Sequence, residues 1–103
     1  MTKERPKVQV PIEWHISEDL DSKYATNLVI QHSEYEFIID FFEMRHPLIL
    51  GDPDQVREQW EKLESVRAEC VARIIVSPNR MQEFINVMQA DLNKYVGKEQ
   101  EER

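Results

Sequence analysis

From Val8 to Ile16 apolar and polar residues alternate, with Gln9, Pro11, Glu13 and His15 set between Val8, Val10, Ile12, Trp14 and Ile16. A period of two predicts a strand with one face buried. Pro11 has no N–H to donate, which puts that strand at a sheet edge. The acidic run Ser17-Glu18-Asp19-Leu20-Asp21-Ser22 then reads as a loop.

Residues 24–33 and 36–45 are both rich in aromatic and β-branched types and predict a hairpin. With the turn centred on Glu34-Tyr35, His32 faces Phe37, Ile30 faces Ile39 and Leu28 faces Phe41, so the largest apolar side chains share one face. The other face carries Val29, Ile38, Phe42 and Met44, interrupted by Asn27, Gln31 and Asp40. A sheet apolar on both sides needs two covers. The second is either a short inserted helix or another subunit.

Pro47 ends the hairpin, and Asp52 followed by Pro53 is an N-cap with proline in the first helical position. Val56, Trp60 and Leu63 then recur at helical spacing, and Glu58 precedes Lys62 by four, which predicts a short amphipathic helix over 53–64. Residues 66–76 predict a fourth strand, with Ala68, Cys70, Ala72, Ile74 and Val76 on one face. Ser77-Pro78 repeats the helix-start signal. Met81, Phe84, Ile85, Met88, Leu92, Tyr95 and Val96 follow at three-and-four spacing up to Gly97, a stop signal. The fold class is therefore α+β: a four-stranded antiparallel sheet in the order β-β-β-short α-β-α, with the long C-terminal helix packed on the Leu28/Ile30/Ile39/Phe41 face. Residues 1–7 are read as a flexible N-terminus, 8–96 as a single domain and 97–103 as a charged flexible tail.

The composition bounds what such a domain does. The 103 residues carry 20 Asp and Glu against 13 Lys and Arg, a net charge of −7. That balance repels phosphate backbones and anionic lipid, which argues against nucleic-acid or membrane-surface binding. Cys70 is the only cysteine, so no internal disulfide forms and a reducing, cytoplasmic setting is expected. The first twenty residues hold no uninterrupted apolar run, which argues against a signal peptide or membrane span. Two glycines build neither a P-loop nor a dinucleotide fingerprint, and no cofactor is expected.

Candidate chemistry is sparse. His32, Ser33 and the nearby carboxylates Glu34, Glu36 and Asp40 form the densest group of reactive types, yet neighbours on a strand point to opposite faces, so His32 and Ser33 diverge. Ser33 fits better as a turn cap and His32 as a side chain packed over Phe37. Asp40, among aromatics in mid-hairpin, needs a partner, which Arg67 or Arg73 could supply; a binding contact and acid–base work are the other readings. His15, Glu18, Asp19 and Asp21 lack the spacing of a calcium loop, so no metal site is assigned. Cys70 reads as core packing. Trp14 and Trp60 divide evenly between core and subunit contact, and with Phe42 and Met44 they are the interface candidates.

The strings Tyr24, His32-Ser33-x-x-Glu36-Phe37-x-x-Asp40-Phe41, Arg73-Ile74-Ile75-Val76-Ser77-Pro78 and Asn93-Lys94-Tyr95 resemble a family of small bacterial and archaeal proteins defined as a domain of unknown function. The likeness covers about 24–46 and 66–96; the 47–65 segment is longer here, and Asn27 stands one position later than the usual Asn. Some members look like the export chaperone SecB, a four-stranded antiparallel sheet followed by a helix, acidic and oligomeric. The resemblance implies a fold and no reaction. Together with the two-faced hairpin it points to a noncatalytic, homo-oligomeric interaction domain, dimeric first, with SecB-like client binding as an extension. The alternative is a small enzyme or ligand-binding domain with a polar site near His32, Asp40 and Arg73 at a subunit seam.

Overall fold

The computed structural model describes residues 9–101, so the flexible terminus expected over 1–7 lies outside the described residues. The elements run β1 (Asn27–His32), β2 (Phe37–Arg45), α1 (Pro53–Glu61), β3 (Arg67–Val76) and α2 (Pro78–Glu101). The three strands form one antiparallel sheet in the order β1-β2-β3, and the class is α+β.

The hairpin has the expected register, with His32 opposite Phe37, Ile30 opposite Ile39 and Leu28 opposite Phe41. Ser33 closes the turn: its backbone N–H donates to the Glu36 carbonyl at 2.9 Å, and its Oγ accepts from the Tyr35 N–H at 3.2 Å. Thr26 prolongs the pairing beyond β1, since its N–H donates to the Phe42 carbonyl and its hydroxyl accepts from the Met44 N–H. Asp52 caps α1 as its sequence signals. Its carboxylate accepts from the Gln55 N–H at 2.9 Å and the Gln55 side chain accepts from the Asp52 N–H at 3.1 Å, a reciprocal capping box.

Three expectations are corrected. The sheet has three strands, not four. Residues 9–16 adopt no strand, and Val10, Ile12, Trp14 and Ile16 all stand in solvent. Alternation licenses a strand only where a neighbour takes up its backbone N–H and C=O groups, and this segment lies on neither sheet edge. Nor does the C-terminal helix pack on its own sheet: of the element pairs, only the strands contact each other extensively. The reason lies at the junction. Ser77 alone separates β3 from α2, and Pro78 holds the residue before it in an extended conformation. That connection is shorter than the roughly two to six residues that usually return a helix over the strand it follows. The helix also runs through Gly97 to Glu101 instead of stopping there.

The molecule is accordingly extended, measuring 80 × 42 × 30 Å with a radius of gyration of 21.9 Å, against about 13 Å for a compact chain of 100 residues. Among the described residues the buried apolar core is Ile39 and Val76. For a chain that is 41% hydrophobic, most of the surface that should drive folding is still in water.

Candidate interaction site

A β-bulge decides which residues share a face. Phe41 pairs with Ala72 but Phe42 pairs with Cys70, so Val71 is an extra residue on β3. Its insertion flips the alternation of the strand. Ala72, Ile74 and Val76 join Leu28, Ile30, Phe37, Ile39 and Phe41, with His32, on what we call the Ile30 face. Ala68 and Cys70 fall on the opposite, Asp40 face, with Asn27, Val29, Gln31, Ile38, Phe42, Met44, Arg73 and Ile75. The single face expected for Ala68 through Val76 is thus divided in two. Cys70 is exposed, not packed in a core.

Asp40 sits at the centre of its face, in register with Arg73. The guanidinium grips the carboxylate with two parallel bonds, Nε to Oδ1 at 2.7 Å and Nη2 to Oδ2 at 3.0 Å. Asp40 is 8% exposed, whereas the Arg73 side chain lies over it at 63% exposure. Such a fork is the strong geometry for an arginine–carboxylate pair. The hydrogen bonds from Arg73 hold the Asp40 carboxyl below its ordinary range against the opposing effect of burial, and Asp40 in turn raises the Arg73 guanidinium. Of the two partners open in the sequence Arg73 is chosen; Arg67 instead pairs with Glu69.

The polar grouping of His32, Asp40 and Arg73 is not assembled within the chain. His32 lies on the Ile30 face, its ring 5.5 Å from that of Phe37, and the sheet separates it from the ion pair. No group of three or more His, Cys, Asp or Glu among the described residues is placed to hold a metal ion. No described helix is long and apolar enough to cross a membrane.

Apolar surface is the dominant feature. On the Ile30 face Leu28, Ile30 and Ile74 are about half exposed, and Val29, Ile75 and Met44 are similarly exposed on the other. Farther along the Ile30 face the apolar residues give way to Glu43, Arg45, Arg67 and Glu69, two adjacent ion pairs. On α2, Phe84, Ile85, Met88, Leu92, Tyr95 and Val96 form one exposed stripe. Beside it Gln82 bonds Asn86 and Gln89 bonds Asn93, a flank of amide pairs one turn apart. Of the interface candidates, Trp14 is 85% exposed, Phe42 is the next residue along the face from Asp40 and Met44 the one after it, and Trp60 meets the His46 ring edge-on at 5.8 Å. The sequence reading missed the bulge at Val71 and the hydroxyl bridge of Thr26. Nothing in residue type marks the first, and the second is an ordinary strand threonine.

A three-stranded antiparallel sheet with a long, unpacked amphipathic helix defines a small α+β domain built around exposed apolar faces rather than a cleft. Residues 1–102 match the family described as "Protein of unknown function (DUF3467)", and the chain belongs to that family. Comparisons with curated proteins and with solved structures give no match.

Proposed function

We propose that the chain is a noncatalytic interaction domain that works as a homo-oligomer, with the dimer as its unit. The observation that carries this reading is the exposure of both sheet faces and of the whole α2 stripe in one chain. Contiguous apolar surfaces of this extent mark association sites, and a helix gains most of its stability from packing its apolar face. A reducing cytoplasmic setting agrees with the lone, exposed Cys70. Sedimentation equilibrium at micromolar concentration tests the reading. A mass at least twice the 12.3 kDa of one chain is expected, and a one-chain mass overturns it.

Client binding of the SecB kind is the finer form of the proposal. Apolar surface left after self-association, first of all the Trp14 segment and Val29, Phe42 and Met44 on the Asp40 face, would take extended, unfolded chain. Stoichiometric suppression of the heat aggregation of an unrelated protein is the expected result, and its absence removes the chaperone role while leaving the oligomer standing.

A further inference from the structure

Self-association as proposed above must cover two surfaces, the Ile30 face and the α2 stripe. We infer that α2 of each copy lies across the Ile30 face of the other in a reciprocal homodimer, an arrangement that rests on that self-association. The occupant is a second copy because the chain cannot supply its own helix: the single residue Ser77 and the fixed backbone of Pro78 direct α2 away from the sheet it follows.

The two surfaces match in length and chemistry. From Met81 to Val96 the stripe rises about 22 Å, and the six residues of β1 span about 20 Å. The Ile30 face is apolar apart from His32, until it reaches the Glu43/Arg45/Arg67/Glu69 charges that bound it. The Asp40 face is a poorer seat, since the ion pair occupies its centre and Asn27 and Gln31 lie at its edge. Pairing α2 with α2 would cover the stripes but leave both Ile30 faces in water. The exchange buries four apolar surfaces at once, the stripe and the Leu28/Ile30/Ile74 face of each copy, so both seats contribute to the roughly 1,600 Å² that a standard stable interface requires. The exchange also brings the chain to a compact pair of sheet-and-helix layers, the arrangement that the 21.9 Å radius of gyration of one chain lacks.

Cross-linking between mixed chains tests this arrangement. In a Cys70→Ala background, chains carrying Ile74→Cys are refolded with chains carrying Met88→Cys and treated with a short bismaleimide. The expected product is a heterodimer joining positions 74 and 88, in several-fold excess over either homodimer. The same mixing with Ile30→Cys and Leu92→Cys guards against a variant that fails to fold. Predominant linkage of Met88→Cys chains to each other would show helix pairing and overturn the exchange. So would an internal 74–88 link in a chain carrying both substitutions, or a two-chain mass with no sheet-to-helix link from either pair. A one-chain mass for the unsubstituted protein is a different failure, that of self-association itself.

Discussion

Asp40 shows how a single charge is retained in an otherwise apolar sheet. Its carboxylate is almost wholly covered, and it is kept ionised by the two N–H groups that Arg73 supplies from the register-matched position on β3. Because the pair holds the Asp40 carboxyl below its ordinary range, its contribution to stability is complete above the unfolded carboxylate value of about 3.9 and is lost as pH falls through the lower folded value. Asp40→Asn should therefore lower the melting temperature at pH 7, and the gap to the unsubstituted protein should close as pH is taken from about 5 to below 3. Thermal denaturation at fixed protein concentration over that range checks it; a gap independent of pH would mean that the charge contributes nothing. With Asp40 in place, Arg73→Lys should keep at most part of the pair's contribution, since an ammonium cannot reproduce the planar two-bond fork. Gly51 carries a different constraint. Its φ of +140° is left-handed backbone, and a Cβ there would meet the Gln55 side chain that completes the cap of α1. Gly51→Ala should accordingly loosen the start of α1.

The legible elements were those whose signals are local. The Asp52-Pro53 and Ser77-Pro78 starts, the Glu34-Tyr35 turn and the pairing of Leu28, Ile30 and His32 with Phe41, Ile39 and Phe37 all follow from residue type and spacing within a few positions. The errors arose where an element depends on something distant. The alternation from Val8 to Ile16 needs a neighbouring strand to become one, and β3 changes faces at Val71 because of how it meets β2. The Asp40–Arg73 half of the polar site is readable as a charge in need of a partner, whereas His32, expected to converge with it across strands or subunits, lies on the opposite face of the sheet. α1 offers a clean test of a local signal, because it is not packed on the sheet. Asp52→Ala should cost about 1 kcal/mol of helix stability. Amide exchange should rise at Gln55 and Val56 while protection in β2 stays unchanged; a matching loss in β2 would mean that α1 supports the sheet.

At the scale of the whole molecule, charge and apolar surface act in opposite directions on association. Each copy carries a net charge of −7, so two copies repel one another at long range, while the surfaces that would join them, the Ile30 face and the α2 stripe, are almost free of charge. An association held by ion pairs weakens as salt screens the attraction. Here salt screens the repulsion instead, over a Debye length that falls from about 10 Å at 0.1 M to about 3 Å at 1 M, and leaves apolar burial intact. The dimer should therefore tighten as sodium chloride is raised from 50 to 500 mM. Sedimentation equilibrium over a dilution series at each salt concentration would measure the change. A dissociation constant that rises over that range would mean that the exposed ion pairs, Arg67 with Glu69 and Arg45 with Glu43, open and re-form between copies, and would move the contact from the apolar part of the Ile30 face to its charged end.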